Sequence, residues 1–406
     1  MSGEFYDVII VGAGPAGSHA AYELVSSGHS VAVLEQKSGP GLDVCCTGVI
    51  STECFDSFGI SSDVILTRAN SAKFFSPSGR CLRLQTEEVQ AYTVERASFD
   101  KAVACKAQAQ EAAYFFPCRV TDITVEKDRT KVEAMYHGAK EVFVARAVIL
   151  ANGFKPELTE KLGLGKIKNF LIGAQAEIEA RDIEEVEVYL GRQIAPGSFA
   201  WLVPTSANTA LAGLITMSHA KSNLERFLLN PFCQGRMIHQ NSEIRQKAVP
   251  MGTLPHTYGD RVLIIGEAAG QVKPTTGGGI FFGHIGAKIA AEVLAEALSS
   301  DDMAASRLSH YQKRWKARMG REIFLGCRAR QAFAKLGDRQ IERVFSMLDS
   351  WGMAGALLNS PNFSFDWHSR LLFGGLKYGL GYPLRKIRHP LAKGSGSQFN
   401  QTISPQ

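Results

Sequence analysis

At 406 residues with 45% hydrophobic content, the chain has the length of two or three domains and enough apolar residues for sizeable cores. No run reaches the ~18 consecutive apolar residues of a membrane span, and the first strand pattern starts by residue 6, so neither a spanning helix nor a signal peptide is expected. The net charge of +6 sits at one end: from Trp367 onward there are six Lys or Arg and no acid, which leaves 39 basic against 39 acidic residues in the body and no basic stripe for nucleic acid.

The chain opens with an apolar strand, 6–10, running into Val11-Gly12-Ala13-Gly14-Pro15-Ala16-Gly17 and then an apolar helix, 16–26. Gly12 suits the tight strand-to-helix turn, Gly14 lets a pyrophosphate approach the backbone, and Gly17 lets the helix pack closely on the strand. Phosphates would sit at the helix start near Ala16, where free N–H groups and the dipole favour anions. Strand 30–34 ends in Glu35, eighteen residues beyond Gly17. A carboxylate there accepts both hydroxyls of a ribose and disfavours a 2′-phosphate.

A cysteine-bearing turn, Cys45-Cys46-Thr47-Gly48, comes next. The eight cysteines show neither zinc-ligand spacing nor the density of a disulfide scaffold, so no metal is expected and a reducing cytoplasm fits. Adjacent cysteines rarely bridge, and Cys45 and Cys46 are read as unpaired. Short strands are expected over 72–84 around the turn 76–79, a helix over 96–112, and strands near 114–123, 131–136, 141–145 and 147–151. Segments 170–178, 185–189, 200–204 and 209–216 alternate more openly, as in a mostly antiparallel sheet. Within them Phe199 and Trp201 sit two apart on one strand and face the same side, an apolar wall that runs on to Pro204.

A second glycine segment follows about 250 residues after the first: strand 261–265, then Gly266-Glu267-Ala268-Ala269-Gly270, then Pro274-Thr275-Thr276-Gly277-Gly278-Gly279-Ile280. Two strand–glycine–helix units in this order read as halves of one flavin-binding clasp. Helices are expected from 280 to about 349, and His284 on the first of them reads as a packed residue rather than an acid. The stretch 394–406 is polar and expected to be disordered.

With both glycine segments in view, the chain resembles the flavoprotein hydroxylase superfamily and, within it, the geranylgeranyl reductase family, over roughly residues 5–350. Besides the fingerprint with Glu35, three segments carry the resemblance. Arg96-Ala97-Ser98-Phe99-Asp100 is similar to the family's R-x-x-F-D; 266–270 with 274–280 is similar to its G-D-A-A-G…P…G-G-G-I; and 196–204 is similar to its P-x-x-Y-x-W-x-F-P. The chain departs at Phe199, which lacks the tyrosine hydroxyl, at Val203, which is smaller than Phe, and at Glu267, which keeps the Asp charge on a longer arm. The resemblance implies an α/β protein with a Rossmann-like FAD-binding fold, an inserted, mostly antiparallel β-sheet substrate domain and a C-terminal helical region. Residues 1–165 (with a short β insertion about 70–92) and 256–320 would form the FAD-binding domain, 166–255 the sheet domain, and 321–393 a helical, basic-aromatic region.

For the cofactor, the resemblance implies FAD held by Gly12, Gly14, Ala16, Gly17 and Glu35 on its nucleotide side, by the Val120 backbone at adenine, and by Arg96 at a phosphate or ribityl oxygen. Cys46, Thr47 and Gly48 would lie near the flavin ring. Gly266 would open the second loop, and Glu267 would accept from a ribityl hydroxyl. Gly278, Gly279 and Ile280 would bring a helix start to the flavin N1–C2=O edge, where negative charge gathers on reduction. Cys46 is also a candidate for gating the site or protonating substrate, and Phe199, Trp201 and Pro204 would line an isoprenoid channel.

The implied activity is FAD-dependent saturation of C=C bonds in a geranylgeranyl or related prenyl chain, with NAD(P)H or a small redox protein as electron donor. Residues 199–204 also resemble the halogenase W-x-W-x-I-P, and Lys73 lies where such enzymes keep a lysine. A flavin monooxygenase or halogenase is therefore the alternative, and a non-redox prenyl-binding chaperone a third. Cations interleaved with aromatics over 367–393 suit contact with an anionic membrane surface, or equally a helix docked on its own protein.

Overall fold

The structure, a computed structural model, describes residues 5–240, 242–350 and 364–369. Its first large sheet contains five parallel strands in the order Val262–Ile264, Ala139–Leu150, Phe5–Val11, Val31–Leu34 and Ala113–Phe115. The middle strands are apolar almost without alternation because both faces are covered. Val8 and Ile10 face the helices Pro15–Ser26, Arg96–Gln108 and Ile280–Ser299, while Ile9 and Val11 face Ile123, Val132 and Phe143 of an antiparallel meander.

That meander is Cys118–Val125, Thr130–Tyr136 and the first half of Ala139–Leu150. The two strands expected at 141–145 and 147–151 are therefore one. No Gly or Pro interrupts the run; one edge changes neighbour instead, from antiparallel Thr130–Tyr136 to parallel Val262–Ile264, while Phe5–Val11 pairs along the other. The helix expected over 96–112 ends at Gln108, and the chain leaves it through Glu111 at φ +70°.

The second sheet is antiparallel through Phe170–Ala180, Thr209–Thr216, Phe199–Pro204 and Val186–Leu190. Met237–Gln240 and Arg245–Pro250 both pair along the outer edge of Phe170–Ala180. At the opposite edge the hairpin Ser71–Phe75 and Cys81–Gln85 adds on, its first strand parallel to Val186–Leu190. The segment expected as an insertion in the nucleotide-binding part thus completes the other sheet. Tyr189, Ala200, Leu202 and Leu214 point into a core closed by the helix Ala220–Leu228. Their alternating neighbours Val188, Phe199, Trp201 and Ile215 face the other way.

The helices Ala305–Trp315, Arg321–Phe333 and Asp338–Ser350 follow, the first two joined by a π-helical stretch, Lys316–Gly320. Tyr311 fastens them to the first sheet, its hydroxyl donating to the Ile264 carbonyl at 2.8 Å. Trp367 packs on Phe281 and Phe282 with Arg318 over its ring, so the first aromatic of the basic segment is docked on its own protein. Residues 370–393, and the tail 394–406, lie outside the described residues. No described helix is long and apolar enough to cross a membrane.

Candidate functional site

A cavity of about 1540 Å³ is lined from both sheets, larger than the roughly 300–1,000 Å³ of an ordinary small-molecule pocket. At one end are Gly12, Gly14, Ala16, Glu35 and Val120. The helix behind them begins with Pro15 and has neither a side-chain cap nor an acid in its first turn, so its leading N–H groups are available to an anion. A Cβ added to Gly14 would meet nothing within 4 Å, so its backbone faces open space. Gly17 does not line the cavity. Its hydrogen faces the loop backbone, where a Cβ would lie 2.0 Å from the Gly12 carbonyl oxygen. Glu35 accepts from the Ala13 and Lys37 N–H groups, both at 2.9 Å, which ties the loop to the second strand and leaves each oxygen a further lone pair.

The turn Cys46, Thr47, Gly48 lines the same cavity as Gly266, Glu267, Gly278, Gly279 and Ile280. Thr47 donates to Gln175 at 2.7 Å, linking that turn to the second sheet. Glu267 is paired with Lys247 at 2.8 Å. Burial works against the Lys247 charge, but Glu267 more than offsets it and holds the ammonium above its usual value. Arg96 also lines the space, yet its fork closes on Asp100 at 2.9 and 3.0 Å, one helical turn away, and it reaches Cys46 besides. Cys45 and Cys46 are both free thiols. Burial, with Cys46 beside it, pushes the Cys45 thiol up to about 11.

The far part is the outward face of the second sheet. Phe199 and Trp201 line it with ring centroids 5.8 Å apart, next to Val188, Val203 and Ile215. The indole lies over Gly213, where a Cβ would stand 2.4 Å from the ring, so only glycine leaves it that place. Trp201 Nε1 and Asn152 Oδ1, both in the lining, are buried without partners. Pro204 lies outside the lining: it ends the strand, and its carbonyl accepts from Thr67 at 3.1 Å. Lys73 is also outside the lining and pairs with Glu185 at 3.2 Å. His284 stacks on His19 at 4.0 Å beside Phe58, and burial lowers it to about 4, as befits a packed residue.

Several lining residues carried no sequence signal. Lys247 is one lysine on an edge strand. Lys273, buried, pairs with buried Asp366, which also accepts from Ser51, across a separation no local pattern encodes. His368 Nδ1 meets Thr275 Oγ1 at 2.6 Å. Only Lys273 and Thr275 were within reach of sequence reasoning, because they flank Pro274 in the second glycine segment.

An uncapped helix start with open backbone at Gly14, a carboxylate at the end of the next strand, and a second helix start above an apolar sheet face fit an FAD molecule. Together they define a flavin-dependent oxidoreductase. The profile of the lycopene cyclase protein family matches residues 7–361. The digeranylgeranylglycerophospholipid reductase of Methanocaldococcus jannaschii is 30% identical over 359 residues, covering 85% of this chain and 91% of its own length. Among solved structures, a geranylgeranyl bacteriochlorophyll reductase-like protein from Thermoplasma acidophilum matches with a TM-score of 0.82 at 23% identity, over 95% of this chain and 98% of that one. The halogenase PltM, in complex with FAD, matches at 0.67 and 14% identity, over 95% and 93%. The chain belongs to the lycopene cyclase protein family and groups there with the digeranylgeranylglycerophospholipid reductases, FAD-dependent oxidoreductases of geranylgeranyl reductase type.

Proposed function

We propose that this chain reduces carbon–carbon double bonds in a prenyl chain carried on a lipid, with FAD as its resident cofactor. The observation that carries the reading is continuity: one space joins both glycine segments to the apolar face of Phe199, Trp201, Val203 and Ile215. Relatives at about 30% identity carry the name of a prenyl-lipid reductase. Lys73, the residue that favoured a halogenase, is engaged by Glu185 outside the cavity.

Gly12, Gly14 and Ala16 would hold the diphosphate of the cofactor, Glu35 its ribose and Val120 its adenine. Glu267, Gly278, Gly279 and Ile280 would meet its ribityl and ring end. When bound and reduced, the flavin supplies a hydride. An isolated alkene has no carbonyl for the protein to polarise, so the contribution of the chain is alignment. Phe199 and Trp201 form a dry wall that fixes the plane of the substrate. The first N–H groups of Ile280–Ser299, which have no intrahelical partners, favour negative charge beside them. Cys46, in the lining within reach of Arg96, is the side chain assigned to deliver the proton to the second alkene carbon.

The test uses FAD-loaded protein reduced by dithionite under anaerobic conditions, which removes dependence on the natural donor. Incubation with geranylgeranyl ether lipids should give products heavier by pairs of hydrogens in the mass spectrum. Unchanged mass for every prenylated substrate offered would reject the proposal.

A further inference from the structure

The apolar part of the cavity has a cation in its roof. Arg330, on Arg321–Phe333, lines the space with Ala329 and Phe333 and lies 5.5 Å over the Phe199 ring. It is only 9% exposed. Its guanidinium donates to the Ser198 hydroxyl, and its Nε has no partner. No carboxylate pairs with it among the described side chains. The other buried cations of the cavity are matched, Lys273 by Asp366 and Arg96 by Asp100. A buried charge without a counter-charge is costly, and burial pushes the Arg330 guanidinium down to about 10. The free donors of its fork suit a phosphate oxygen, and a neutral headgroup would leave the charge uncompensated.

We propose that Arg330, its guanidinium anchored on the Ser198 hydroxyl, binds the phosphate of the substrate, a prenyl lipid bearing a phosphate or a prenyl diphosphate. The identity of the attached chain rests on the prenyl-reductase reading; the anion does not. The position suits a headgroup. The helix touches the second glycine segment at Gly326, where a Cβ would lie 3.0 Å from Pro274, and Arg330 is one turn further on, about 6 Å along the axis. A phosphate held there sets the chain against Phe199 and along the sheet face.

The experiment titrates FAD-loaded protein with geranylgeranyl diphosphate, a geranylgeranyl ether lipid phosphate and geranylgeraniol, following the flavin absorbance. Wild type should bind at least one phosphate ligand ten- to a hundredfold more tightly than the alcohol, as expected of a charge-assisted pair. Arg330→Gln should lose that preference with the affinity for the alcohol unchanged, and Arg330→Lys should keep part of it. Which of the two phosphate ligands shows the loss identifies the source of the phosphate. Retained preference in Arg330→Gln, or equal weakening of all three ligands, overturns the proposal. Inorganic pyrophosphate should raise the melting temperature of the FAD-loaded wild type and not that of Arg330→Gln, which itself should melt no lower than wild type. Pyrophosphate protection without prenyl binding would keep the anion site and reject the prenyl reading. Reduction of prenyl phosphates with equal affinity by both proteins would do the reverse.

Discussion

Gly14 and Gly17 are three residues apart and serve different needs. Gly17 is a packing requirement: the Cβ of Gly17→Ala would collide with the Gly12 carbonyl and come within 3.1 Å of the Ala151 side chain. Such overpacking against backbone should cost about 1–3 kcal/mol in a urea titration of the apoprotein. Gly14→Ala meets no protein atom and has φ −71°, so its apoprotein should stay within about 0.5 kcal/mol of wild type while its Cβ fills the approach of the diphosphate. It should elute colourless from gel filtration. Equal stability losses in the two variants would contradict this division. These glycines and Glu35 were legible in the sequence because a backbone requirement dictates residue type at a fixed spacing. Arg330 and Lys247 were not, since one cation on a helix or strand leaves no period to detect.

The helices Pro15–Ser26 and Ile280–Ser299 meet through His19 and His284. Burial lowers His19 to about 2 and His284 to about 4, both below the ordinary value of 6.5. The unfolded chain takes up protons near pH 6.5, and the folded one does not until about pH 4 or below. The unfolded state therefore binds more protons across that window, and stability falls on acidification by up to about 1.4 kcal/mol per pH unit for each imidazole. His284→Gln should flatten the decline in melting temperature between pH 6.5 and 4.5 relative to wild type. An unaltered slope would show that His284 does not carry it. The sequence announced both helices through their glycine starts and apolar runs. It did not announce that Ala139–Leu150 is one strand serving three partners, or that Ser71–Phe75 pairs with Val186–Leu190. Both depend on neighbours more than a hundred residues away, which local alternation cannot report.

Across the whole molecule, the two glycine loops are carried by two strands of one sheet, Phe5–Val11 and Val262–Ile264, with Ala139–Leu150 between them. A ligand spanning both should act on both. Added FAD at a thousand times its dissociation constant should stabilise the apoprotein by about 4 kcal/mol. Hydrogen exchange should slow at 12–17 and at 266–280 together; protection of the first loop alone would mean that the clasp does not close. The chain crosses between the sheets at the hairpin Ser71–Gln85, again after Leu150, and again after Pro250.

The parallel sheet also fixes an order on manufacture. The strand Phe5–Val11 needs Ala139–Leu150 at its side, and that strand in turn needs Val262–Ile264. A ribosome adding roughly 5–20 residues per second delivers them about 7–30 s and 13–50 s after the first. Through most of translation the nascent protein therefore carries a valine- and isoleucine-rich margin awaiting its neighbour, a natural client for whatever chaperones stand at the exit tunnel.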